Sequence, residues 1–302
     1  MTPTALPRPI RRRNPKMRKA LPYLMVAPAC IFLLFITLWP GLFAIYRSVF
    51  AGKFGWEKNY VGLENYSTLL ADEHFWQALW NTLLLGSITL AIEFVIALLL
   101  AALVYRSPWV KGWRILFMLP MLFMPSAVGY LWKLLFNDGR VIADLMARLG
   151  LVDGGVDWMA HTFNARFVLV LTDVWQWTPF LFIILVAGLQ GQDKEIEEAA
   201  RLDGASFGNL FWNISLPLLR PIIAIALVLR GIDLLNNMSA VNIITQGSPA
   251  GATETLSYFI YRTGFRSFDQ GYAAAASVLL LIATVILAQV LVRKFFKSGT
   301  EA

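Results

Sequence analysis

The 302-residue chain is 58% hydrophobic and only 15% charged, with a mean hydropathy of +0.60. A soluble domain is roughly half apolar and a quarter charged, so this composition excludes an ordinary soluble domain and any disordered or collagen-like chain. The formal net charge of +7 reads, in so apolar a chain, as a bias of cytoplasmic loops before it reads as a nucleic-acid footprint. The single cysteine, Cys30, allows no intrachain disulfide and no cysteine metal site, and His74 and His161 lie too far apart in sequence to suggest a metal centre.

Residues 1–22 form a basic arm with Arg8, Arg11, Arg12, Arg13, Lys16, Arg18 and Lys19 and no acid. A signal peptide and a nucleic-acid-binding arm are the rivals here. The following apolar run is long and lacks a small-residue cleavage site, which favours an uncleaved first span with a cytoplasmic N-terminus. A bilayer core takes about 20 apolar residues per helix. Six segments qualify: Tyr23–Phe43, Ala78–Val104, Ile115–Trp132, Phe167–Leu189, Pro221 to about Val241, and Tyr272–Val292. The fifth is the most polar. These runs are too long and too uniformly apolar for the strict alternation of membrane β-strands. The expected fold is therefore all-α, a polytopic six-helix domain over 23–292, with a loop at 190–220 and a short tail at 293–302.

An inside start places both termini in the cytoplasm. The inner segments then hold 16 Lys/Arg and 6 Asp/Glu, and the outer ones 9 and 10. The basic excess falls on the inner side, as the positive-inside rule requires, with the N-terminal arm supplying much of it. There is no visible inverted repeat of the kind many secondary transporters carry.

The 190–220 loop reads as two short helices. Glu197 and Arg201 stand at i, i+4, and Ile196, Ala199 and Ala200 form a small apolar face. Gly204 turns the chain, and Ser206 caps a second helix through Phe207, Leu210, Phe211 and Ile214. The physics alone leaves two readings open: a docking surface, or an amphipathic loop packed on its own bundle.

Glu198-Ala199-Ala200, three residues, Gly204, nine residues, then Ile214-x-Leu216-Pro217 resembles the EAA motif of ABC importer permeases. Leu189-Gln190, Asp203-Gly204-Ala205 and Phe211 are similar to the sugar-permease branch, which includes maltose and glycerol-3-phosphate permeases. So are Gly62-Leu63-Glu64-Asn65-Tyr66, Leu119-Pro120 with Pro125, and Thr245-Gln246-Gly247-Ser248-Pro249, where Ser248 replaces a glycine. The resemblance spans Leu21 to Phe296. It implies a type I importer permease in the inner membrane, paired with a second permease, two different ones being usual in this branch, and with two ATPase subunits. An extracytoplasmic solute-binding protein would deliver a sugar. Glu198, Ala199, Ala200, Asp203 and Gly204 would then be the ATPase-coupling contact. Independently, no G-x-x-x-x-G-K-[ST] occurs, so this chain has no P-loop, and MgATP is expected only in the partner ATPases. No cofactor and no catalytic role are expected of this chain.

Four ionisable residues fall inside spans: Glu93, Asp173, Arg230 and Asp233. Such residues usually face a protein interior or a polar path. Trp177 and Phe180 beside Asp173, and Asn236 and Asn237 after Asp233, suit a sugar, whose C–H faces stack on rings and whose hydroxyls bond carboxylates and amides. Helix-bridging glue is the alternative. By position, Asp173, Trp177, Phe180, Arg230, Asp233 and Asn237 match sugar-contacting places in the maltose permease, although Arg230 and Trp177 differ in type, so the resemblance implies a pocket without implying maltose. Glu93 has no such match, and a hydroxyl or amide partner is expected for it. Two readings of Arg230 stand: neutralisation by Asp233 at i+3, or contact with an anionic substrate such as glycerol 3-phosphate or a sulfonated or carboxylated sugar. A membrane enzyme would need an acid/base or metal cluster that the sequence does not offer. A secondary transporter would have no use for the EAA loop.

Overall fold

The computed structural model describes residues 15–52, 59–137, 141–150 and 157–297. Arg8, Arg11, Arg12 and Arg13 of the basic arm, and residues 298–302 of the tail, lie outside the described residues. Among the described residues the fold is mostly helical, and its only strands form one short antiparallel ribbon, β1 (Phe50–Ala51) and β2 (Asn59–Tyr60), with Phe50 opposite Tyr60. The helices are α1 (Pro15–Ser48), α2 (Glu64–Ala71), α3 (Glu73–Val104), α4 (Val110–Met118), α5 (Pro125–Phe136), α6 (Val141–Arg148) and α7 (Thr162–Gln190). They continue with α8 (Lys194–Leu202), α9 (Phe207–Leu210), α10 (Leu216–Asn236), α11 (Ser239–Ile244), α12 (Leu256–Tyr261) and α13 (Gln270–Lys297).

Among the described residues, four helical stretches are long and apolar enough to cross a membrane: Tyr23–Ser48, α3, α7 and Gln270–Val290. The expected third span, Ile115–Trp132, is not one straight helix. α4 runs through a 3₁₀ turn (Leu119–Leu122) and meets α5 at an angle of 84°. The cause is Pro125. Its ring pushes Met124 into an extended conformation (φ −59°, ψ 129°), so one helix ends and another restarts with proline in its first turn. The fifth expected span, Pro221 to about Val241, is displaced. α10 opens earlier, at Leu216, and stops at Asn236, where Asn237 turns extended (ψ 104°) and α11 follows as a separate turn. At 21 residues α10 is about 31 Å long. Its Arg220, Arg230 and Asp233 make it more polar than the other spans.

α3, α7 and α10 form the centre. Ala97 and Ala101, one turn apart on α3, are fully buried and let Leu181, Phe182 and Leu185 of α7 approach closely, with Leu219 and Ala226 of α10 closing the layer. Toward the other end, Leu85 and Val168 pack with Phe136, Trp158, Val241, Ile244 and Tyr258. A third layer joins α2, α3, α12 and α13 through Leu69, Phe75, Leu256 and Ala275. α1 packs on α13, and none of the residues in its apolar window is buried.

The Gly62-Leu63-Glu64-Asn65-Tyr66 segment has a local structural role. Asn65 Nδ2 donates to Ser48 O at 2.7 Å and to Phe50 O at 3.2 Å, and Tyr66 donates its hydroxyl to Ser48 Oγ at 2.7 Å. The two Asn65 bonds satisfy carbonyls left free at and just beyond the end of α1.

Candidate functional site

The four charges within the spans come together. Arg230, 1% exposed, sits on the face of α10 that meets α3 and α7. Its Nε and Nη2 donate to Glu93 Oε2 and Oε1 on α3, each at 2.8 Å, a bidentate fork. Nη2 also donates to Asp173 on α7, and Nη1 donates to Asp233 one turn along α10. Asn237 Nδ2 holds the second Asp173 oxygen at 2.6 Å. The Trp177 ring centroid lies 5.2 Å from the guanidinium carbon, within cation–π range. Four of the five guanidinium N–H groups are thus committed to carboxylates.

The partner of Glu93 is therefore the Arg230 guanidinium, not a hydroxyl or amide. Asp233 pairs with Arg230, as the i, i+3 reading expects, but Glu93 and Asp173 join it, so three acidic groups surround one cation. Of the expected path residues, Asp173, Trp177, Arg230, Asp233 and Asn237 are brought together and two are not. Phe180 packs against the apolar core of α3, α7 and α10. Asn236 is exposed and donates to Ile232 O in its own helix at 2.9 Å. Glu93, Arg230 and Asp173 are buried, whereas the Asp233 side chain is 54% exposed. A cavity of about 40 Å³ lies beside Asp173 and Asn237, lined also by Thr82 and Thr89. It has room for about one water.

The loop between α7 and α10 is built from local signals. Asp193 accepts from Glu195 N at 3.0 Å and caps α8. At the other end, Gly204 N–H bonds Arg201 O and Ala205 N–H bonds Ala200 O, both at 3.0 Å, with Gly204 at φ +81°. That is a Schellman cap, in which the residue after the left-handed position reaches back to the third residue from the helix end. It explains the spacing of the motif: Ala200 accepts the closing bond, and Gly204 must adopt the left-handed conformation. Ser206 Oγ then accepts from Asn209 N at 3.3 Å and opens α9, which passes through a π turn (Phe211–Ser215) into α10. Glu198, Ala199, Asp203 and Gly204 are exposed, and Ala200 is half-buried. Leu202 is 90% exposed, and Ile196, Phe207 and Trp212 are exposed as well. An amphipathic loop folded down on its own bundle would hide such residues.

Two features were not anticipated from sequence. Arg166, at the start of α7, donates to Ala252 O at 3.0 Å and to Asn81 Oδ1 at 2.9 Å, while Asn81 Nδ2 donates to Gly251 O and Glu254 O. The segment after α11, with Gln246, Gly247, Ala250 and Gly251 all at positive φ, is pinned there to α3 and α7. In it, burial pushes the Glu254 carboxyl above the usual carboxylate range, while Arg262 at 2.9 Å pulls it back. The second feature is Arg106, which pairs with Glu197 at 2.5 Å. Both arginines carry the same weak signal, a lone cation at the end of an apolar run.

Comparison with known proteins places this geometry. The family model described as "Binding-protein-dependent transport system inner membrane component" matches residues 93–298. The sn-glycerol-3-phosphate transport system permease protein UgpA of Agrobacterium fabrum is 34% identical over 89% of this chain and 92% of its own length. The probable ABC transporter permease protein YurN of Bacillus subtilis is 31% identical over 94% of this chain and 98% of its own. Among solved structures, a chain of a bacterial alginate ABC transporter, in complex with an alginate pentasaccharide-bound periplasmic protein, superposes with a TM-score of 0.81 over 92% of this chain and 94% of its own, at 22% identity. The superposition shows a shared fold, and the chain is a member of the binding-protein-dependent transport system inner membrane component family.

Proposed function

We propose that this chain is the permease subunit through which a carbohydrate or polyol crosses the membrane, handed over by an extracytoplasmic solute-binding protein. In this reading both termini and the 190–220 loop are cytoplasmic. Two ATPase subunits carry MgATP, one of them docks on the loop of this chain, and a second permease subunit completes the path. The observation that carries it is the loop itself: a capped helix and turn that present Glu198, Ala199, Asp203 and Gly204 outward, next to an exposed Leu202. Small residues allow close approach and Glu198 offers a charge to a basic partner.

The substrate reading rests on the buried cluster. Its surplus is acidic, and Arg230 has most of its donors occupied, so the cluster suits hydroxyl groups better than a phosphate or carboxylate. Only Asp233 of the four charged groups is open to solvent, and the cavity beside Asp173 is water-sized. A sugar therefore meets Asp233, with Trp177 and Asn237 close by. The glycerol-3-phosphate relatives support a second reading, an anionic polyol, which requires a cation other than Arg230. Uptake of labelled substrate in cells expressing the whole importer, competed with neutral sugars and separately with phosphorylated polyols, distinguishes the two. Competition by neutral sugars alone is expected. Competition by phosphorylated polyols alone overturns the neutral reading.

A further inference from the structure

Arg106 sits two residues beyond the end of α3 and touches both helices of the exposed loop. Its Nη2 lies 2.5 Å from Glu197 Oε1 on α8. Its guanidinium carbon lies 5.1 Å from the centre of the Phe207 ring, the first residue of α9, and 5.0 Å from the ring of its neighbour Tyr105. The Arg106 side chain is 27% exposed and that of Glu197 28%, so the pair is partly withdrawn from water. The same Glu197 oxygen takes Arg201 of its own helix at 2.7 Å. The contact lies at a cleft of about 560 Å³ lined by Tyr105, Arg106, Gln190, Lys194, Glu197 and Arg201. Beside it, Gln190 Nε2 donates to Tyr105 O at 3.0 Å, which ties the end of α7 to the same point.

α3 is one unbroken helix of 32 residues. It carries Glu93, the bidentate partner of Arg230, about 20 Å along the axis from Arg106 at 1.5 Å per residue. A rigid element therefore joins the exposed loop to the buried charge cluster, and Arg106 is its grip on that loop. The grip straddles the Schellman turn, with a charge on the α8 side and a ring on the α9 side, so it senses the position of the loop as a unit.

We propose that Arg106 is a positioning residue for energy coupling: it transmits movement of the 190–220 loop into α3, and through α3 to the Glu93–Arg230 contact. The proposal rests on the reading of that loop as the ATPase contact. Arg106 itself is not offered as a residue that touches ATP, substrate or the ATPase.

The test uses the whole importer, permease pair with its ATPases, reconstituted in proteoliposomes with its binding protein. Arg106→Gln is expected to assemble and to keep basal ATP hydrolysis, while hydrolysis stimulated by the loaded binding protein and uptake both fall about fivefold, the scale of one partly buried ion pair with a cation–π contact. Arg106→Lys keeps the charge without the stacking and is expected to fall between the two. The exchange Arg106→Glu with Glu197→Arg is expected to recover at least part of the stimulation that Arg106→Glu alone abolishes. Unchanged stimulation and uptake in Arg106→Gln overturn the proposal. So does failure of the exchange to recover any stimulation while the complex still assembles. Should Arg106→Gln fail to assemble, the exchange alone decides. The underlying reading fails separately: normal stimulation and uptake with Gly204→Asp would show that the loop is not the coupling contact, whatever Arg106 does.

Discussion

Arg230 shows what one side chain must satisfy inside a membrane. Removing it leaves Glu93 and Asp173 buried, and breaking a buried pair by deleting one partner usually costs more than the pair contributes. Arg230→Gln is therefore expected to lower the stability of the purified protein by about 3 kcal/mol, read as a drop in unfolding temperature in detergent. Glu93→Gln, which removes the bidentate acceptor, is expected to do nearly as much. Asp233→Asn should be much milder, because that carboxylate is half exposed. Equal losses for Asp233→Asn and Glu93→Gln would contradict the assignment of Glu93 as the principal partner. The presence of charges in the spans was legible in the sequence, but their pairing was not. Glu93 and Arg230 are 137 positions apart, and no local period marks which face of each helix turns toward the other. Asp233, at i+3, was the visible partner and proved one of three.

The elements divide by the range of the forces that set them. In the loop after α7 the two helices, the turn at Gly204 and the Ser206 N-cap were legible, since caps and turns are decided by neighbours in sequence, whereas the Asp193 cap and the π turn at Phe211–Ser215 emerge only from the structure. The bend between α4 and α5 was not, because hydropathy is blind to direction. Pro120 and Pro125 were visible, yet the apolar run through them reads as one span. The end of α10 shifted because Asn237 is drawn from the helix line to Asp173, a tertiary contact. Two glycines test the packing between elements. A Cβ on Gly271, at the start of α13, would stand 2.0 Å from the Phe50 backbone oxygen beside the ribbon. A Cβ on Gly188 would meet Leu219 Cδ1 at 2.5 Å and Ile222 Cδ1 at 2.8 Å, both ends of movable side chains. Gly271→Ala is expected to cost about 2–3 kcal/mol, and Gly188→Ala less than about 1.5 kcal/mol, in the same unfolding measurement. The reverse order would contradict the packing described at these two positions.

At the scale of the molecule, the Arg230 cluster binds α3, α7 and α10 together within the apolar region, and the Arg106, Gln190 and Glu197 contacts tie the ends of α3 and α7 to α8 where the exposed loop joins the bundle. The orientation we propose for this frame rests on the charge count of the loops. Reporter fusions after Gly204 are expected to read as cytoplasmic and after Gly251 as external, and a reversed pattern would contradict the inside start. The fold class was legible from composition and the EAA spacing, whereas the relation between the loop and the buried cluster needed the helices in place.

The central claim is that this permease converts events at the 190–220 loop into substrate passage, and it is tested most directly with Gly204→Asp. Aspartate at φ +81° strains the turn, and its carboxylate stands where a close contact is expected. The measurement is ATP hydrolysis stimulated by the loaded binding protein, in proteoliposomes holding the assembled importer. The account predicts near-basal hydrolysis and no uptake from a complex whose permease is present at normal abundance. Full stimulation and normal uptake by that variant would contradict it.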